Sequence, residues 1–144
     1  MDVVYVDTSA LAKWYLNEAR SEEVEQFIRE RAPVSISTLT LVEMRSLLGR
    51  RRRERDLDAK MEARIYATFE EDIRDGHLLQ HPVTDGAVLG AGHLLAALND
   101  HPLRSLDALH LSIAKEIRAT EVATADRVML GASRAMGFGV IRFD

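Results

Sequence analysis

Four acidic residues recur in similar surroundings along the chain. Asp7 closes the apolar run VVYV, Glu43 follows TLTLV, Asp107 lies within LRSLDALHL, and Asp126 follows EVATA. Three of them follow an apolar run that reads as a strand or the loop after one, and each stands where a helix is expected to begin. A parallel sheet would bring such positions to one edge. Carboxylates gathered there repel one another, and hard cations that prefer oxygen, Mg²⁺ or Mn²⁺, are the usual remedy; such ions serve phosphoryl chemistry. Each acid taken alone also fits helix capping. Asp126 suits an N-cap, Asp107 stands two residues after the capping candidate Ser105, and Thr40 with Glu43 matches a capping box. Asp7 fits that alternative least, because it directly follows a strand at the end where open α/β sheets bind ligands.

The elements that must position these acids alternate. A strand over Val3–Val6 precedes a short helix from Thr8 to Leu16, and a second helix starts at Ser21 with Val24, Phe27 and Ile28 as its apolar stripe. Pro33 ends it, Val34–Ser37 reads as a strand, and Thr38 or Thr40 is expected to cap a third helix. Leu57, Met61, Ile65 and Phe69 share one face of a long helix over 57–75, stopped by Gly76. After a brief strand over 78–83, Thr84 caps a helix whose Val88, Leu89, Leu95 and Leu98 are expected to face inward. The next helix, from Ser105, packs Leu106, Leu109, Ile113 and Ile117. A strand over 122–124, a helix opened by Asp126 and a strand over 140–143 complete the order. This alternation predicts one α/β domain over residues 1–144, a three-layer α/β/α sandwich around a mostly parallel central sheet.

Composition narrows the class. The chain has 144 residues, 47% of them hydrophobic, which suffices for one domain with its own core. It has no cysteine, which excludes disulfides, thiolate metal sites and a cysteine nucleophile and points to a reducing, cytoplasmic setting. No signal peptide and no membrane-length apolar window is legible. A net charge of −4 is unlike a general nucleic-acid coat. The basic charge is local: Arg45, Arg50, Arg51, Arg52, Arg53 and Arg55 crowd one stretch interrupted by Glu54, which suits a solvated helix end or a contact to phosphate or a partner. Gly86, Gly90 and Gly92 lack the Gly-Lys-Ser/Thr of a phosphate loop and are expected to permit close helix packing. No G-x-S-x-G elbow is present.

The opening strand ending in Asp7-Thr8-Ser9, Glu43, the run Leu106-Asp107-Ala108-Leu109-His110-Leu111 and Thr124-Ala125-Asp126 together resemble the PIN domain, and within it the toxin branch of VapBC-type toxin–antitoxin pairs. The resemblance spans nearly the whole chain. It implies a divalent-metal-dependent endoribonuclease that cleaves RNA with metal-activated water, with Asp7, Glu43, Asp107 and Asp126 as catalytic acids and ligands of one or two Mg²⁺ or Mn²⁺ ions. Ser9 and Thr124 match positions where the family carries small hydroxylated residues around the acids. His110 is expected to pack and not to ligate. The resemblance further implies a homodimer and a cognate VapB-like antitoxin whose C-terminal segment lies across Trp14 and the arginines from Arg45 onward. A PIN-like nuclease of RNA maturation or decay without an antitoxin, or a non-catalytic RNA- or protein-binding module, would share the fold.

Overall fold

In the computed structural model, which describes residues 2–144, five parallel strands form one sheet flanked by helices on both faces. The strands are β1 (Val4–Val6), β2 (Val34–Ser37), β3 (Leu78–His81), β4 (Glu121–Thr124) and β5 (Gly139–Arg142). The helices are α1 (Thr8–Tyr15), α2 (Ser21–Arg31), α3 (Thr38–Arg53), α4 (Ala59–Arg74), α5 (Asp85–Ala97), α6 (Ser105–Glu116) and α7 (Arg127–Ala135). The sheet order is β3-β2-β1-β4-β5, and every pairing is parallel. The chain therefore builds outward from β1 in one direction, then returns past β1 to build β4 and β5 on the other side. The reversal point lies between β1 and β4, where such sheets open a crevice at the strands' carboxyl ends.

Alternation along β1 explains the layers. Val4 and Val6 point to one face and pack with Leu11, Ile28, Ile36, Met44, Leu48 and Phe69, the core under α1 to α4. Tyr5 points to the other face and packs with Leu111, Ile113, Val122 and Met129, the core under α5 to α7. Three residues thus staple both layers. At the end of α4, Gly76 adopts φ 83°, a left-handed conformation that lets the chain leave the helix for β3.

Four local expectations are corrected. The α5 residues Val88, Leu89 and Leu95 are exposed, and the inward face is instead Ala87, Ala91 and Leu94. Small residues win because α5 lies close against α6: a Cβ on Gly90 would stand 2.5 Å from Ser112 Oγ, which itself donates to Ala87 O (2.6 Å). Leu106 is also exposed, at the rim of a cavity. In α3 the cap position is Ser37, so the Thr40–Glu43 capping box does not form. Thr40 is buried inside the helix and Glu43 falls in its second turn. Likewise Arg104, not Ser105, precedes the first turn of α6.

Candidate active site

The end of β1 delivers Asp7 as the N-cap of α1, almost wholly buried at 4% exposure. Its Oδ1 accepts from Ser9 Oγ (2.7 Å) and from the Ala10 amide (3.0 Å), and its Oδ2 accepts from Thr124 Oγ1 (2.6 Å). Thr124 is the last residue of β4, the strand beside β1, and its Oγ1 also accepts from the Asp126 amide (3.0 Å). The Ala125 amide donates to Ser9 Oγ (3.0 Å). Across the reversal point, the Thr124 hydroxyl thus links the Asp7 carboxylate to the Asp126 amide, and the Ser9 hydroxyl links it to the Ala125 amide. Asp126 caps α7, its Oδ1 accepting from the Val128 and Met129 amides.

Glu43 reaches the same edge from α3. Its Oε1 accepts from Thr8 Oγ1 (2.7 Å) and lies 2.5 Å from His110 Nε2. Asp107, three residues before His110 on α6, accepts at Oδ2 from the Arg104 amide (3.2 Å). The capping alternative is therefore correct for three of the four acids as far as it goes: Asp7, Asp107 and Asp126 all receive amide hydrogen bonds at helix starts. It does not account for Glu43.

The electrostatics register the burial of the acids. Burial pushes the Asp7 carboxyl above the usual aspartate range, with the bonds from Thr124, Ser9 and Ala10 opposing. Burial also raises Asp107, and the neighbouring charge of Asp126 raises it further, against the opposing Arg104 amide. For Glu43, burial acts upward, yet hydrogen bonding and charge from His110, with the Thr8 bond, outweigh it and leave the carboxyl below its ordinary value.

A cavity of about 710 Å³ opens over this edge. Thr8, Ser9, Glu43 and Ala125 line its acidic side, and Lys13, Arg50, Arg51 and Arg104 add positive charge to its wall. Arg51 is bridged to Glu18 (2.6 Å). The rest of the arginine run and Trp14 are not brought here. Arg45 lies over the Tyr66 ring, 3.5 Å from its centroid. Arg52 is 3.8 Å from Glu62. Arg53 is exposed and does not line the cavity, and Trp14 packs beside Tyr15 and borders a separate space with Asp72 and His77.

His110 and Tyr5 are the residues that sequence reasoning undervalued. His110 is buried, as a packing role requires, but both ring nitrogens are engaged: Nδ1 with the Tyr5 hydroxyl (2.6 Å) and Nε2 with Glu43. Tyr5 OH in turn donates to Ser37 Oγ (3.0 Å). The one available signal was the spacing of His110 on the same helical face as Asp107.

Among the described residues, no three histidine, aspartate or glutamate side chains stand close enough together to form a ready metal cage. The donor set still suits a hard cation. It is all carboxylate, burial raises two of its members, and Mg²⁺ in particular keeps several waters and takes only one or two carboxylates directly. Among the described residues no helix is long and apolar enough to cross a membrane.

Comparison with known proteins finds relatives in sequence and in fold. The PIN domain family matches residues 4–134. The chain is 29% identical to Ribonuclease VapC46 of Mycobacterium tuberculosis over 98% of both sequences. Its fold is shared with the crystal structure of Mycobacterium tuberculosis VapC20, described as a sarcin–ricin loop cleaving toxin (TM-score 0.72, 20% identity, 94% of this chain and 95% of that one). It is shared too with DNA-bound VapBC from Salmonella typhimurium (TM-score 0.69, 19% identity, 100% of each chain).

Proposed function

The chain belongs to the PIN domain family, and from that premise we propose that it is a divalent-metal-dependent endoribonuclease acting in the cytoplasm as the toxin of a VapBC-type pair. The observation that carries the reading is the hydrogen-bonded linkage of residues distant in sequence at one sheet edge: Asp7 to Asp126 through Thr124, and Glu43 to Thr8 and to the helix that bears Asp107. Asp7, Glu43, Asp107 and Asp126 would hold one or two Mg²⁺ or Mn²⁺ ions. When bound, such an ion supplies positive charge and activation of water for attack on a phosphodiester.

The protein's own groups then have distinct tasks. Ser9 and Thr124 hold Asp7 in a fixed orientation, so that its charge is aimed at the edge without rearrangement. Thr8 and His110 do the same for Glu43. Lys13, Arg50, Arg51 and Arg104 on the cavity wall suit the phosphates of an RNA strand passing over the acids. The same wall would accept an antitoxin segment whose Arg or Lys enters the acid cluster and displaces both cation and RNA. The working form is taken to be a homodimer bound by a VapB-like antitoxin.

Incubation of the purified protein with RNA tests the reading. Cleavage should stop on chelation, return with Mg²⁺ or Mn²⁺, and leave 5′-phosphate and 3′-hydroxyl ends. Products bearing 2′,3′-cyclic phosphate would show that the RNA's own hydroxyl attacks, and the hydrolytic reading would be withdrawn.

A further inference from the structure

Resting on the acid cluster read above, we propose that His110 is a positioning residue: clamped by Tyr5 and Ser37, it fixes the Glu43 carboxylate with one oxygen occupied and the other left for a divalent cation. The chain of contacts runs through four elements. Ser37 ends β2, Tyr5 sits at the centre of β1, His110 is on α6 and Glu43 on α3. Every member except Glu43 is buried.

The direction of the critical bond is fixed by chemistry. A carboxylate only accepts, so His110 Nε2 carries the hydrogen toward Glu43. The contact between Nδ1 and the Tyr5 hydroxyl oxygen (2.6 Å) holds the ring plane. Glu43 Oε1 then has both lone pairs used, by Nε2–H (2.5 Å) and by Thr8 Oγ1 (2.7 Å). Among the described residues no hydrogen-bond donor reaches Oε2, and Glu43 lines the cavity. A glutamate has three rotatable side-chain bonds and would otherwise sample many rotamers at a cavity wall. Anchoring one oxygen from two sides removes that freedom before an ion arrives. Outer partners of this kind usually govern metal affinity by about ten- to a hundredfold.

A purely structural role would make the same contacts without affecting ion binding, so the test reads the ion directly. Mn²⁺ alone, without RNA, is titrated into the full-length protein and free Mn²⁺ is followed by electron paramagnetic resonance. His110→Leu should weaken Mn²⁺ binding by about tenfold or more and lower kcat for RNA cleavage, with KM for RNA nearly unchanged. His110→Gln, whose side-chain amide can carry a donor toward Glu43, should recover most of the affinity, whereas the shorter His110→Asn should not. Tyr5→Phe should weaken Mn²⁺ binding less than His110→Leu. Wild-type Mn²⁺ affinity in His110→Leu, whatever its melting temperature, overturns the proposal. If the leucine variant does not fold, equal affinities of the Gln and Asn variants overturn it instead. Glu43→Gln separates this idea from its premise: if that variant binds Mn²⁺ and cleaves RNA like the wild type, the site reading falls and the proposal with it. A weakened Glu43→Gln beside an unaffected His110→Leu sinks only the proposal.

Discussion

Asp7 carries two opposing demands. The proposed function asks for a charge at the sheet edge, while burial makes that charge costly and raises the carboxyl's affinity for a proton. A raised native value means that the folded state holds this proton more tightly than the unfolded chain does. The stability so gained is complete below the unfolded value and is lost as pH rises through the native one. Asp7→Asn should therefore abolish cleavage, by more than about a hundredfold, while melting at or above the wild-type temperature at neutral pH without metal. The gap should narrow on acidification, and thermal melts from neutral pH toward pH 4 check it. Glu43 has the opposite sign: its lowered value contributes stability above the ordinary glutamate range, and that stability is lost as pH falls through the native value. Divalent cation should raise the melting temperature of the wild type but not of Asp7→Asn. At this scale the sequence was informative where a candidate site residue adjoins its own strand. Asp7 and Asp126 could be found because VVYV and EVAT announce the strands before them. The Tyr5–His110–Glu43 linkage could not, since its members are separated by 105 and 67 residues and only the sheet order joins them.

The helix pair α5 and α6 shows what periodicity cannot decide. The segment DGAVLGAGHLLAA is apolar nearly all round, so several faces satisfy a helical stripe equally well. Close approach to α6 selected the face of small residues, Ala87 and Ala91, and left the larger Val88, Leu89 and Leu95 outside. Gly90 and Gly92 then have opposite expectations despite similar sequence settings. Gly92→Ala meets open space and should stabilise by up to about 1 kcal/mol, the ordinary gain of alanine over glycine in a helix. Gly90→Ala must displace Ser112 Oγ and should destabilise by about 1 kcal/mol net, overpacking outweighing propensity. Urea denaturation of both variants, and of Gly90→Ala combined with Ser112→Ala, measures this. The combined variant should lose less than the sum of the single changes. The arginine run of α3 illustrates the same limit. Its members point around the helix to different neighbours, a division that a linear count of charges does not contain.

For the whole molecule, a net charge of −4 coexists with a locally basic cavity wall, so RNA affinity should depend on salt through few residues. Arg50→Ala should flatten the logarithmic salt dependence of single-stranded RNA binding by about 0.7, the value for one lost phosphate contact, while Arg52→Ala and Arg53→Ala leave it nearly unchanged. Arg51→Ala should fall between them, because Glu18 already engages that guanidinium. Fluorescence titrations over a range of salt concentrations measure these slopes. The fold class was legible from the strand–helix alternation, but the reversal of strand order was not, because no local pattern says on which side of β1 the later strands settle. That reversal orders events during synthesis. A ribosome that has released residues only as far as the start of α6 has made Asp7 and Glu43 but neither Asp107 nor Asp126, and β1 is still an unpaired sheet edge on the side that β4 will occupy. The growing chain thus lacks the Thr124 bond to Asp7 and half of the candidate acids until α6 and β4 are translated, so the proposed site cannot assemble while only its first two acids have been made.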